Sequence, residues 1–170
     1  GTGGVLAITD LTANKFNTIL VGGIGTGDSR LATRVGVSSA DSGANYSETN
    51  NENGTENSGV NRTYFYHLYN GYNLQFTVMY AMNVSGYEKL FIAETSQANG
   101  AGAGSSQTRT DAVGKWVTTS GQWAKLQMIN YGSGDLLTGS NLSALGGDIT
   151  PVAQDPPKVQ DGAIFYETDT

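Results

Sequence analysis

A chain of 170 residues with 38% apolar content is long enough for one domain, or one domain with an appendage, and can bury a core without covalent staples. It has no cysteine, which excludes disulfides and thiolate metal centres, and a single histidine, His67, which excludes multi-histidine sites. Fifteen acidic residues outnumber nine basic ones, and no run approaches the roughly 20 apolar residues of a membrane span, so neither nucleic-acid binding nor membrane insertion is expected.

The 24 glycines and a charged content of only 14% argue against helices, since Gly costs about 1 kcal/mol per helical position relative to Ala. Low charge with many small polar residues suits an extracellular or virion surface. Gly1 opens a glycine-rich stretch without the basic flank of a signal peptide, and a start other than Met leads us to expect a processed product or a fragment.

Residues 5–11 and 16–24 read as strands around a turn at Thr12-Ala13-Asn14, with Gly22 and Gly23 expected to mark a bulge or strand end. After the GTGD loop at 25–28, residues 30–37 alternate, with Leu31, Thr33, Val35 and Val37 on the face expected to be buried. Residues 47–59, SETNNENGTENSG, contain no apolar side chain and are expected to form a solvated loop. Its oxygen-rich composition would suit Ca²⁺, but the ordered D-x-D-x-D-G pattern is missing, so no cofactor or metal is expected.

Residues 61–72 are the aromatic centre, with Tyr64, Tyr66 and Leu68 on one strand face and Phe65, His67 and Tyr69 on the other. Asn70-Gly71 gives a hairpin signal. The longest apolar run, 74–84, predicts a central strand with Leu74, Phe76, Val78, Tyr80 and Met82 inward. Further strands are expected at 87–95, 108–118, 122–130 and 142–145, separated by Ser85-Gly86, the low-complexity loop 97–106, Thr119-Ser120-Gly121 and the GSGD turn at 132–135. Nine or ten antiparallel strands predict an all-β, two-sheet, jelly-roll-like sandwich over residues 1–148, with an open barrel as the alternative. All three prolines fall just beyond, so 149–160 reads as an extended connector. Residues 161–170 read as the start of a further β module or an interaction tail.

The phrases EKL (88–90), AVGKW (112–116), TSGQ (119–122), GSGD and GSNLSALG (139–146), in this spacing, resemble a β-sandwich domain that recurs in tail fibres, head fibres and other appendages of tailed phages and archaeal viruses. The Arg-bearing strand 30–37, followed by Ser42-Gly43-Ala44-Asn45-Tyr46, is similar to that family too, though the family's trailing basic residue is missing. The terminal DGAIFYETDT resembles a phrase common in such structural proteins, where it continues into an aromatic strand. The resemblance implies a non-enzymatic virion structural protein (a head or tail fibre, decoration or minor capsid component) on the particle surface. It further implies assembly with other virion proteins and with itself, trimers being the usual solution. Two alternatives stay open: a host-attachment module that binds a surface glycan, and a prokaryotic cell-surface or filament subunit.

No nucleophile–base pair or G-x-S-x-G elbow is present, so no catalytic residue is expected. His67 reads as a residue of a sheet face or edge, and Asp111, Asp135 and Asp148 as turn or strand-end residues. Among the aromatic residues that could stack on sugar rings, Trp116 lies inside AVGKW and is expected in the core or an interface. Tyr46, Tyr72 and Tyr131 fall in loops and turns and are the carbohydrate-binding candidates. N-x-[ST] sequons occur at Asn45, Asn53, Asn61, Asn83 and Asn141, of which Asn53 and Asn61 are the glycosylation candidates. Only Lys15, Lys89, Lys115 and Lys125 are available to guard strand edges, which points to edges covered by neighbouring subunits and to the Gly-rich loop 99–104 as a possible seam.

Overall fold

The computed structural model of the protein describes residues 4–67, 74–98, 100 and 102–147. These form eleven strands in two antiparallel sheets that pack as a sandwich. The smaller sheet runs β1 (Val5–Ile8), β10 (Lys125–Asn130), β3 (Leu31–Gly36), β6 (Phe65–Tyr66). The larger runs β11 (Asn141–Gly147), β2 (Phe16–Ile24), β7 (Leu74–Met82), β8 (Lys89–Gln97), β9 (Thr108–Trp116), β4 (Tyr46–Glu52), β5 (Thr55–Arg62). The Pro-rich connector, the DGAIFYETDT tail, Asp148 and the Asn70-Gly71 turn lie outside the described residues.

The core is built where the two sheets face each other. Ile19, Val21, Met79 and Phe91 of the large sheet meet Leu31, Val35, Phe65, Leu126 and Met128 of the small one. The rings of Phe65 and Phe91 stack across the sandwich with centroids 5.2 Å apart at 21°. Gly114 makes that approach possible: a Cβ there would stand 2.5 Å from the Phe65 ring. Gly23 acts likewise beneath Leu31, and its strand holds unbroken register with β7 from Phe16↔Met82 to Ile24↔Leu74. Gly23 therefore marks close packing and not the expected bulge, whereas a Cβ at Gly22 would meet nothing within 4 Å.

Four further expectations are corrected. Residues 47–59 are not a solvated loop but most of the β4–β5 hairpin, with β4 an interior strand between β9 and β5. Glu48 and Asn50 on β4 are buried. Composition misled because β4 lies over a polar part of the interior and β5 is a sheet edge, so neither needs an apolar face.

The facing of β7 is the reverse of that expected. Gln75, Thr77, Met79 and Ala81 point into the sandwich, while Leu74, Phe76 and Tyr80 are each more than half exposed. Period-2 alternation divides a strand into two sets of side chains but does not say which set the opposing sheet covers. The inward polar groups are held by one another. Thr77 Oγ1 and Thr95 Oγ1 lie 2.8 Å apart, and Gln75 Nε2 donates to Ser29 O at 2.7 Å.

Lys89 is no edge guard either. It is fully buried on interior strand β8, where its Nζ donates to Tyr87 O and Thr118 O, and burial pushes its pKa down. On β3, Leu31, Thr33 and Val35 are buried as expected, but so is Ala32, and Val37 falls just beyond the strand and is exposed. Trp116 belongs to the core, its Nε1 donating to Asp41 Oδ2 at 2.7 Å.

Candidate functional site

The β4–β5 hairpin turns at Asn53-Gly54, whose φ values of 48° and 93° are the two left-handed positions of a tight hairpin. Asn tolerates this conformation and Gly adopts it freely. The asparagine also ties the turn to β9, since its backbone N donates to Arg109 O and its Oδ1 accepts from Arg109 N at 3.0 Å. Further along, the pairing slips: Glu48 faces Gly59 and Tyr46 faces Arg62, so β5 carries one extra residue. Asn61 absorbs this bulge at φ 54°.

The bulge aims Arg62 back onto Glu48. Arg62 Nε donates to Glu48 Oε1 at 3.2 Å, and the pair lies over Gly59, where a Cβ would come within 2.4 Å of both side chains. Glu48 Oε2 and Asn50 Oδ1 are buried without a hydrogen-bond partner. Burial outweighs the neighbouring guanidinium and pushes the Glu48 carboxyl up to about 7.

Opposite this pair stands a wall of three tyrosines. Tyr64 stacks on Tyr131 with ring centroids 4.9 Å apart at 23°, and Tyr66 meets Tyr131 edge-on at 5.1 Å. Burial raises the pKa of the Tyr131 phenol, which therefore stays protonated. Arg30 closes the end of the wall, its Nε donating to Asp28 Oδ1 at 2.8 Å. Between wall and hairpin lies a polar cleft of about 360 Å³.

Of the three expected carbohydrate-binding residues, only Tyr131 lines this cleft. Tyr46 is a core residue, 1% exposed, because its hydroxyl is taken up by the backbone of β3: it accepts from Val35 N and donates to Val35 O, both at 3.0 Å. Tyr72 lies outside the described residues. Tyr64, Glu48, Asn50 and Arg62 were missed, and the signal that could have found them is the Asn53-Gly54 dipeptide between two short polar runs, 47–52 and 55–59.

His67 is fully buried between the sheets, with Nε2 3.2 Å from Thr33 Oγ1, and burial lowers its pKa to about 3. It directly follows β6, the edge strand of the small sheet. Among the described residues no group of three His, Asp or Glu could hold a metal ion. The sequon asparagines Asn53 and Asn61 are exposed, whereas Asn83 is fully buried, its Nδ2 donating to Asn14 O and Trp123 O. Comparison with family models, with curated proteins and with solved structures finds no match.

Proposed function

We propose that this is a non-enzymatic structural domain of a virion appendage, which assembles with copies of itself and with other virion subunits through the outer face of its large sheet. The observation that carries this reading is the composition of that face. Leu145, Phe16, Phe76, Tyr80, Leu90, Ile92 and Val113, drawn from five adjacent strands, all point away from the core and remain about half exposed or more. Register places Leu145 beside Thr18, Tyr80 beside Ile92, and Ile92 beside Val113, so these side chains form one continuous band.

Half-exposed side chains of this size sum to an area on the order of 600–800 Å², beyond the largest patch of most monomers and close to one side of a standard interface. The β11 edge adds to the case, because Asn141–Gly147 carries no charged residue or proline to discourage pairing with another strand. The resemblance of residues 30–148 to virion appendage domains supports the setting.

Light scattering on the 170-residue chain at tens of micromolar tests the assembly. A multiple of the 17.8 kDa mass is expected, falling to the monomer in Tyr80→Glu and Ile92→Glu with no loss of thermal stability. A monomeric wild type would overturn self-assembly through this face. Mass spectrometry of particles tests the setting, and absence of the chain from purified virions would remove it.

A further inference from the structure

We propose that the cleft between the β4–β5 hairpin and the Tyr64–Tyr66–Tyr131 wall binds a neutral, hydroxyl-rich saccharide ring. The inference does not rest on the assembly reading, since the cleft is built from the inward-facing side of the hairpin and not from the outer apolar band.

Four observations point to this ligand chemistry. The first is a pair of unpartnered polar atoms. Glu48 Oε2 and Asn50 Oδ1 belong to side chains that are more than nine-tenths buried, and both lack a hydrogen-bond partner. Unpartnered buried polar atoms cost roughly 1–3 kcal/mol each, so a ligand whose hydroxyls can both donate and accept recovers that cost on binding whichever way Glu48 is protonated.

The second is the aromatic wall. The three phenol rings pack on one another and close one side of a cleft whose exposed lining is mainly polar, which suits a small ligand rich in hydroxyls better than an apolar one. The third is charge. Each of the two guanidiniums in the cleft is already bonded to a carboxyl group of the protein, Arg30 to Asp28 and Arg62 to Glu48, so both are engaged within the fold instead of being set out to clamp an acidic sugar or a phosphate.

The fourth is construction. The site is held by a bulge with Asn61 in a left-handed conformation and by a glycine that leaves space for the Arg62–Glu48 pair. Positions of this kind persist only where the surroundings hold them, and bulges commonly re-aim side chains beside binding sites. A volume of about 360 Å³ lies at the small end of ligand pockets, enough for one or two sugar rings and not for a long chain in full.

The test uses the full chain, isotope-labelled, titrated with glucose, galactose, mannose and N-acetylglucosamine to tens of millimolar, alongside an array of neutral and sialylated glycans. At least one neutral sugar is expected to shift the Asn50 side-chain amide and the Arg62 Nε–H resonances with saturating curvature. Tyr64→Ala and Asn57→Ala, both changes in the lining of the cleft, are expected to weaken it tenfold or more while leaving the rest of the spectrum in place. Tyr87→Ala, which removes an exposed ring outside the cleft, is expected to leave binding unchanged. Binding to the array but not to free monosaccharides would assign the site to the terminal sugars of a longer glycan, within the same chemistry. No shift with any neutral sugar on either arm, binding confined to sialylated glycans, or loss of binding in Tyr87→Ala but not in Tyr64→Ala would each overturn the proposal.

Discussion

On β7 the two faces of the large sheet invert the usual distribution of polarity. Along β7 the inner face presents Gln75, Thr77, Met79 and Ala81, while the outer face presents Leu74, Phe76, Val78, Tyr80 and Met82. On this face Thr77 bonds Thr95 and Gln75 bonds Ser29 O, whereas Thr110 Oγ1 beside Thr95 and the Gln97 amide beside Gln75 are buried without a hydrogen-bond partner. Burial is thus decided by which face the small sheet covers, and polar side chains are accepted where most of them can bond to neighbours. An outer face more apolar than parts of the inner one is the surface that the proposed assembly would cover.

The sharpest way to break this comparison is a pair of phenylalanine truncations. Phe91 is 1% exposed and stacked on Phe65, whereas Phe76 is 53% exposed. Phe91→Ala is expected to cost about 3–5 kcal/mol, the usual range for emptying a core position. Phe76→Ala should cost under about 1 kcal/mol in the monomer, since it leaves no cavity. Chemical denaturation with both variants held monomeric by Ile92→Glu checks this. Equal losses would mean that the facing of β7 is wrong.

The polar interior is sharpened by pH. Burial raises the Glu48 pKa from 4.5 to about 7, so between those values the folded chain holds a proton that the unfolded chain has released, and stability falls as pH rises through the window. Burial lowers the His67 pKa from 6.5 to about 3, so the unfolded chain takes up a proton that the folded chain refuses, and stability falls as pH drops from 6.5 towards 3. The two slopes oppose each other between pH 4.5 and 6.5. In Glu48→Gln only the histidine slope remains, and the variant should gain up to about 3 kcal/mol on the wild type between pH 4 and pH 8. Denaturation midpoints across this range measure it, and a pH-independent difference would show that Glu48 ionises freely in the fold.

Much of the fold was legible in the sequence because most of its strands are marked by punctuation. The β2 span was read to the residue, and Gly86 and Gly121 hold the left-handed conformations that the Ser85-Gly86 and Thr119-Ser120-Gly121 turns require. Two features were not legible, for one shared reason. The facing of β7 and the strand character of 46–62 both depend on what another part of the chain places opposite, which local pattern does not encode. The cleft followed the second of these into obscurity: Tyr131 was picked out as a turn aromatic, but Glu48 and Asn50 seemed to be loop residues, and Arg62 part of the aromatic segment, until the hairpin brought them together.

The hairpin itself gives the last and smallest test. If Asn53-Gly54 sets the register that carries Glu48 and Asn50 inward, a side chain at Gly54 must strain the turn. Its φ of 93° is disfavoured for any L-residue, although a Cβ there would meet nothing within 4 Å, so the penalty is conformational and not steric crowding by neighbours. Gly54→Ala is expected to lose about 1 kcal/mol or slightly more. Gly104→Ala is the control: it is also exposed and also meets nothing within 4 Å, but its φ lies outside the left-handed range, so its loss should be close to zero. Thermal unfolding of the two variants beside the wild type resolves a difference of this size. Equal behaviour would mean that the turn does not need its left-handed glycine, and that β4 is held in place by its pairing with β9 alone.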